Sequence, residues 1–414
     1  MREGDDDNGW RAFEADAQTP LVKIDVGYRD RMPNMAAKAM ALLRFRKNLG
    51  RLTALAREYD PDVIYTSQQF WDCAAGTYLS RVLKRPHVVH LHYNVGPWLS
   101  TGFSRNPRAF RLARATFRLA DPLERLKTCD QVVTVSNFIR GEAIAYGVTP
   151  DRIATVHNPV PPACPDKLDG ADIRAALDIP PGARLVGIVG RLDVDKGHLD
   201  TLRAFALLAP NHPDTYLLIV GVGPLAESLR DEARALGVSE QVRFTGWRND
   251  VPALLGEMDV FVHPSRREPF GLAIAEACAA GLPVIAYAEG GVPEIIVHGE
   301  TGWLAPPGDI AGLAEHIERV LATPTDARTM GAKAREHIER NFSPAEASRT
   351  LAAVLRRLAG QPATPRDPGD GPPTVDDAPA GRGHQASGAE PPRGPPENAA
   401  SPPSVHAPRI EAAL

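Results

Sequence analysis

The chain has 414 residues, 43% of them hydrophobic, which is enough for two domains with sizeable cores. Its formal net charge of −4 at pH 7 gives no signal for nucleic-acid binding, and no apolar run reaches the ~18 to 20 residues of a membrane span. The acidic start of the chain is unlike a signal peptide, and the four cysteines lack metal-ligand spacing. We therefore expect a cytoplasmic protein without a nucleic-acid partner.

Short apolar runs alternate with helical patterns along the middle of the chain. The runs predict nine strands, at 62–66, 87–91, 131–135, 152–156, 185–189, 216–220, 242–245, 260–262 and 283–286. The helical patterns lie at 74–84, 107–127, 137–146, 198–208, 225–236 and 272–280. Many runs are continuous rather than alternating, so both faces of the sheets are expected to be covered. The repeated strand–helix–strand order predicts an α/β fold with parallel sheets.

A proline-rich polar segment divides the chain. Six prolines between 158 and 181 predict a linker between two α/β domains, at 1–160 and 161–343. Because open α/β sheets bind ligands at the carboxyl ends of their strands, we expect a ligand in the cleft between the domains. Residues 361–414 hold 13 of the 39 prolines and predict a disordered tail, with a partner-binding arm as the alternative.

The segment EPFGLAIAE places Glu268 before a predicted helix and Glu276 on the second turn of that helix. The Pro-Phe-Gly turn between them can present backbone N–H groups and the positive end of the helix dipole to an anion. One carboxylate can then face a sugar while the other accepts hydrogen bonds from a ribose. This combination suits a nucleotide-sugar.

A second motif, GRLDVDKG, spans residues 190–197 between a predicted strand and a predicted helix. Arg191 and Lys196 in it can both reach a diphosphate, the first as a bidentate fork and the second as a point charge. Such cations stabilise the negative charge that builds as a nucleoside diphosphate departs. The alternative is a solvated loop with ordinary surface cations.

Three glycines end predicted strands and are candidates for close approach to a ligand. Gly246 in FTGWRNDV can let the backbone approach a flat base, although a plain strand-end turn explains the same letters. Gly290 and Gly291 in GGVPEI permit positive φ and close backbone approach, or else form a tight turn before a helix. The segment GVGPL at 221–225 resembles a dinucleotide-binding fingerprint but lacks the third glycine of that fingerprint. It is interpreted as a turn that opens a helix.

Two histidines share one face of the strand at 87–91. His92 lies at the carboxyl end, where a cleft is expected, whereas His90 is expected to pack or form a hydrogen bond inside. No convincing third ligand accompanies them, so we predict no metal site.

Residues 105–127 carry seven cationic and two anionic side chains with apolar residues interleaved. This pattern is typical of a solvated helix face over a buried apolar stripe. It also suits a basic amphipathic helix on anionic lipid, which would give the protein a peripheral position on the inner membrane face.

Together these motifs resemble the family 4 retaining glycosyltransferases of the GT-B fold. The resemblance runs from about residue 59 to 359 and is strongest over 190–309, in GRLDVDKG, FTGWRNDVPALL, DVFVHPS, EPFGLAIAEACAAGLPVIA, GGVPEII and GETGWLAPPGD. It implies two Rossmann-like domains facing a central cleft. The N-terminal domain would be the acceptor side, completed by a helix at 344–360 that crosses back, and the C-terminal domain would bind the nucleotide-sugar.

The resemblance also implies roles for individual residues. Glu268 would hold hydroxyls of the donor sugar, and Glu276 would bind the ribose. Arg191 and Lys196 would bind the diphosphate, and His92 would lie near the transferred sugar. The other residues expected around the donor are Phe270, Gly271, Leu272, Gly246, Gly290 and Gly291.

The implied reaction transfers a hexose from a UDP- or GDP-linked donor to an acceptor hydroxyl with retention, usually without metal. The acceptor would be a glycolipid, a polysaccharide precursor or a small molecule. The glycine-rich loop with which family members begin is not found before residue 61, so we expect the first domain to be incomplete, through a misassigned start or a truncation. The alternative function is a catalytically impaired sugar-nucleotide-binding or interaction protein.

Overall fold

A computed structural model describes residues 35–67, 70–95, 122–162 and 170–360 of the chain. Its first sheet has four parallel strands in the order β1-β2-β3-β4: β1 (Ile64–Ser67), β2 (His87–Leu91), β3 (Gln131–Thr134) and β4 (Ile153–Thr155). The helices that accompany these strands are α1 (Met35–Tyr59), α2 (Phe70–Leu83), α3 (Pro122–Thr128) and α4 (Asn137–Ala145). Because the strands are parallel, their carboxyl ends lie at one edge of the sheet.

The second sheet has six parallel strands in the order β10-β9-β8-β5-β6-β7. The strands are β5 (Arg184–Val189), β6 (Thr215–Val220), β7 (Val242–Gly246), β8 (Val260–His263), β9 (Val284–Tyr287) and β10 (Gly302–Ala305). The helices are α5 (Gly170–Ala176), α6 (His198–Leu208), α7 (Ala226–Ala235), α8 (Val251–Glu257), α9 (Leu272–Ala279), α10 (Val292–Ile295), α11 (Ile310–Ala322) and α12 (Pro324–Asn341). The strand order reverses between β5 and β8, and a reversal of this kind opens a crevice at the carboxyl ends of the two strands.

The strands of the second sheet are covered on both faces. In β6, Leu217 and Ile219 belong to one buried cluster, whereas Leu218 and Val220 belong to another. Side chains alternate between the faces of a strand, so the two clusters are the cores on opposite sides of the sheet. This arrangement confirms the prediction of parallel α/β sheets with covered faces.

The last described helix, α13 (Pro344–Leu358), returns to the first sheet. Its Val354 packs with Val88, Val133 and Val156, and the guanidinium of Arg357 donates a hydrogen bond of 2.8 Å to Gln131 Oε1. We call β1–β4 with α1–α4 and α13 the first lobe, and β5–β10 with α5–α12 the second lobe.

Most predicted strands lie within two residues of their observed bounds, but β10 is additional to them. Helices α1, α5, α8, α10, α11 and α12 are also additional, and α5 lies inside the proline-rich segment at 158–181, for which the sequence predicts a linker. In α12 the buried positions include Gly331 and Ala334, which give a weak apolar pattern.

Several predictions concern residues outside the described ranges. They are the tail at 361–414, most of the basic helix at 107–127 and the residues where a first Rossmann-like unit was sought. The domain boundaries at 160 and 343 stay predictions.

We expect Gly331→Ala to lower the free energy of unfolding by about 2 kcal/mol or more, because an added methyl group must displace backbone. A Cβ at Gly331 of α12 would lie 1.9 Å from the carbonyl oxygen of Gly281. Gly256→Ala in α8 is the matched control, since in the described part of the chain no atom lies within 4 Å of its Cβ position. Alanine should stabilise that helix by up to about 1 kcal/mol. Urea unfolding measures both, and equal effects would contradict the packing described here.

Candidate functional site

Two loops line the crevice between β5 and β8. The GRLDVDKG loop (190–197) follows β5, and the EPFG loop (266–271) follows β8 and leads into α9. Lys196 Nζ of the first loop donates a hydrogen bond of 2.8 Å to Glu268 Oε2 of the second. The Glu268 side chain is 11% exposed and that of Lys196 is 33% exposed. The structure thus brings two predicted site residues into one partly buried ion pair.

The GRLDVDKG loop rests on the segment after β6. Leu192 N donates to Val222 O at 3.0 Å, and Leu225 N donates to Leu192 O at 3.1 Å. Gly221 has φ of 139°, and a Cβ there would lie 1.9 Å from Gly190 O. The glycines at 221 and 223 are therefore needed for close backbone packing, a role that the sequence interpretation of a helix-opening turn missed.

Gly290 and Gly291 pack against the backbone of the EPFG loop. Gly291 N donates to Glu268 O at 2.8 Å, and a Cβ on Gly290 would lie 2.2 Å from that same oxygen. A Cβ on Gly291 would lie 2.6 Å from Pro269 O. These glycines support the backbone of Glu268, and a direct contact with a donor stays a prediction.

Helix α9 begins with an open N-terminus. Gly271 precedes its first residue with φ of 111°, and no side chain among the described residues caps the N–H groups of the first turn. Leu272 and Glu276 lie four residues apart, so they share one face of the helix. Both residues are exposed. Although Glu276 is exposed as a residue, neighbouring protein atoms partly desolvate its carboxylate and raise its pKa. This carboxylate has no ion pair with another described residue.

The Phe270 side chain belongs to the core. It is 2% exposed, and its ring centroid lies 5.6 Å from that of Phe342 and 6.1 Å from that of His157. Only the main chain of Phe270 is therefore available to a ligand, and its contact with a donor stays a prediction.

Arg191 and Gly246 lie at more open positions. The Arg191 side chain is 72% exposed and pairs with Asp193 of its own loop, not with Glu268. Gly246 ends β7 with φ of 70°, and no atom of the described residues lies within 4 Å of its Cβ position. This leaves room for a flat ligand, and contact with a base stays a prediction.

His90 lies near the end of β2 in the first lobe, and His92 directly follows that strand. His90 is buried and hydrogen-bonded to the Tyr65 hydroxyl, which confirms that it packs inside. The two imidazole centroids are 4.0 Å apart. Burial lowers the pKa of His90 to about 3 and also lowers the pKa of His92. Both rings are therefore neutral at pH 7.

The first lobe touches the EPFG loop directly. Asn94 Nδ2, just beyond β2, donates to Arg267 O at 2.7 Å, and Ser136 Oγ, just beyond β3, donates to Pro269 O at 2.5 Å. Glu268 lies between these two contact points. The carboxyl edge of the first sheet therefore faces the loop that carries Glu268.

The described residues offer neither a metal site nor a membrane span. No group of three or more His, Cys, Asp or Glu side chains among them is placed to hold a metal ion. None of the described helices combines the length and the apolar character needed to cross a bilayer.

Comparison with known protein families covers both lobes. The model for "Glycosyltransferase Family 4" matches residues 12–163, and the model for "Glycosyl transferases group 1" matches residues 169–337. The chain belongs to the family 4 glycosyltransferases of the GT-B fold. This confirms the family resemblance of the motifs.

Individual relatives of this glycosyltransferase differ in how much of their length aligns with this chain. Glycogen synthase of Mycobacterium tuberculosis is 38% identical over 43% of this chain, and this match spans only 44% of that relative's length. The 2-deoxystreptamine glucosyltransferase of Streptomyces kanamyceticus is 26% identical over 84% of this chain and 91% of its own. The crystal structure of HepE from Anabaena with UDP and glucose has a TM-score of 0.63 at 24% identity, over 75% of this chain and 81% of that one, and supports the fold.

Two buried histidines of this glycosyltransferase lie next to Gly190, the first residue of the GRLDVDKG loop. His198 is 1% exposed and His263 is 3% exposed, and both rings lie 3.7 Å from a Cβ built on Gly190. Burial lowers the pKa of each to about 3, and neighbouring Lys196 adds to this effect. Neither ring nitrogen of His198 has a hydrogen-bond partner among the described residues. The sequence interpretation missed both residues, although each lies within or next to a family motif.

We expect wild-type stability to fall between pH 7 and pH 5. Below pH ~6.5 the unfolded chain protonates His198, whereas the folded chain resists protonation until about pH 3. This difference in protonation lowers the free energy of unfolding by up to about 2 kcal/mol at pH 5. The variant His198→Leu should lose correspondingly less stability on acidification, as measured by urea unfolding at both pH values. The control Leu202→Ala in α6 should leave the pH dependence unchanged, and an unchanged pH dependence in His198→Leu would contradict the assignment.

Proposed function

We propose that this glycosyltransferase moves a hexose from a nucleotide-sugar donor to an acceptor hydroxyl with retention at the anomeric carbon. One observation carries the proposal. Lys196 and Glu268 form an ion pair in the crevice between β5 and β8, where the EPFG loop meets the first lobe. A cation for a diphosphate and a carboxylate for sugar hydroxyls therefore lie side by side.

The donor diphosphate would bind Lys196 and the open N-terminus of α9, whose N–H groups and dipole favour an anion. Arg191, which is exposed and pairs with Asp193 of its own loop, would turn to the phosphates and add a bidentate contact. Negative charge grows on the diphosphate as it leaves, so these fixed donors act most strongly in the transition state.

The two acids would contact the two sugar rings of the donor, one acid to each ring. Glu268 accepts a hydrogen bond from Lys196, and its remaining lone pairs would accept hydrogen bonds from hydroxyls of the transferred sugar. Glu276 is exposed one turn into α9 and would accept hydrogen bonds from the ribose. The main chain at 270–272 would line the space between them.

In the chemical step, the bond between the anomeric carbon and the leaving phosphate oxygen breaks. The acceptor oxygen bonds to the same face of that carbon, and the acceptor proton passes to the departing phosphate oxygen. Neutral His92 at the edge of the first sheet would form a hydrogen bond with the transferred sugar and help to fix its orientation.

We propose a UDP-linked hexose as the first donor to test, with GDP-linked sugars as the alternative. The HepE structure holds UDP and glucose, and one relative is a glucosyltransferase; both support this choice. For the acceptor we propose a hydroxyl of a glycolipid, a polysaccharide precursor or a small molecule. A cytoplasmic location and a peripheral membrane contact through 105–127 stay proposals.

We expect Lys196→Ala and Glu268→Ala each to lower the transfer rate by at least about 100-fold while the fold survives, because each removes a group that stabilises the transition state. Lys333→Ala, which alters an exposed cation on α12, is the matched control and should retain full activity. Release of nucleoside diphosphate in the presence of acceptor measures the rate. Substantial turnover by either site variant would contradict the assignment.

We expect one nucleotide-sugar class to stabilise the wild-type protein against heat. A ligand at about 100 times its dissociation constant adds about 2.7 kcal/mol to the free energy of unfolding. Thermal unfolding with UDP-glucose, GDP-mannose and ADP-glucose in parallel would identify the base. The Lys196→Ala variant should show a much smaller shift with the same ligand. Failure of all three to stabilise the wild-type protein would contradict a donor site of this kind.

A further inference from the structure

Helix α4 of the first lobe begins against the second lobe. The N-cap residue Ser136 donates to Pro269 O at 2.5 Å. The amides of Asn137 and Phe138 donate to the two carboxylate oxygens of Glu294, at 2.8 and 2.9 Å. The first N–H groups of a helix have no partner within the helix, so here a side chain from the other lobe supplies the acceptors.

Glu294 is suited to this position. A carboxylate at a helix N-terminus is stabilised by the helix dipole, and His157 Nε2 adds a contact of 2.9 Å to Glu294 Oε2. Burial alone would raise the pKa of Glu294, but the hydrogen bonds from His157 and the amides of Asn137 and Phe138 outweigh burial and lower it. Glu294 lies on α10, which begins directly after the two glycines that support the backbone of Glu268.

A second carboxylate connects the lobes in the opposite direction, from the first lobe to the second. It belongs to Glu142 of α4, which accepts a hydrogen bond of 2.6 Å from the guanidinium of Arg267 in the second lobe. The other oxygen of Glu142 accepts from Val95 N at 2.7 Å. Arg267 has φ of 50°, a left-handed conformation that is strained for a residue with a side chain. Its carbonyl is held by Asn94 at 2.7 Å. Strain of this kind persists only where surrounding contacts fix it.

Both neighbours of Glu268 are therefore tied to the first lobe. Arg267 is held by Glu142 and Asn94, and Pro269 by Ser136. Glu294 secures the start of the helix that makes two of these contacts.

We propose that Glu294 is a positioning residue that caps α4 across the two lobes and thereby fixes the Lys196–Glu268 pair relative to the sheet edge that carries His92. It touches no donor or acceptor in this role and acts through α4 and the EPFG loop. The catalytic part of this inference rests on the proposed function, whereas the capping part does not.

The capping part is tested by amide hydrogen exchange in the full chain without ligand. In Glu294→Ala the amides of Asn137 and Phe138 lose their acceptors, so their exchange should accelerate at least about 10-fold. Glu294→Gln keeps one carbonyl acceptor and should show a smaller increase. Glu300→Ala, at an exposed position of the same lobe, is the matched control and should leave both amides unchanged. Unchanged exchange in Glu294→Ala would overturn the proposal.

The catalytic part is tested with UDP and UDP-glucose. We expect Glu294→Ala to lower kcat for UDP-glucose turnover roughly 10- to 100-fold, because small displacements of reacting groups are costly. The affinity for UDP, measured by calorimetry, should change less than about threefold, because the residues proposed to bind the diphosphate and ribose are intact. Glu294→Gln should recover part of kcat.

The outcomes separate the two proposals. A merely structural role would lower UDP affinity, kcat and melting temperature together, and that pattern, or an unchanged kcat, would overturn the positioning role. If the wild-type protein neither binds UDP nor turns over UDP-glucose, the UDP form of the proposed function fails, while the exchange rates at Asn137 and Phe138 still decide whether Glu294 caps α4.

Discussion

The candidate site depends on the ion pair between Lys196 and Glu268, which joins the two loops that line the crevice of the second lobe. The two residues are 72 positions apart in the chain, and they meet because β5 and β8 are neighbours at the point where the strand order reverses. Each is carried by a loop that glycines hold in place, the first by Gly221 and the second by Gly290. Loss of either charge would leave its partner in a partly buried site without compensation.

The sequence predicts the parts of this arrangement that depend on local pattern. Continuous apolar runs predict the covered strands, and the spacing of Glu268 and Glu276 predicts an acid on either side of a helix start. The family resemblance then groups Lys196 with Glu268, and the structure shows the two in contact. The helix α12 escapes prediction in part because two of its four buried residues, Gly331 and Ala334, are small and weaken the apolar pattern.

What escapes prediction at the site depends on contacts between distant segments. Glu294 lies 157 positions from Asn137, and nothing in GGVPEI indicates that its acid faces a helix in the other lobe. The glycines at 290 and 291 allowed two interpretations because their letters do not show which backbone they approach. His198 and His263 are ordinary in the sequence and become distinctive only when burial leaves their rings neutral.

The return of α13 to the first sheet has a consequence for biosynthesis. Val354 completes a cluster with Val88 and Val133, so part of that cluster must wait while the intervening second lobe is synthesised. Such distant pairings form slowly and leave apolar surface uncovered in the meantime. A nascent chain that stalls before residue 344 would therefore present an unfinished valine surface to chaperones and proteases, even with its second lobe already folded.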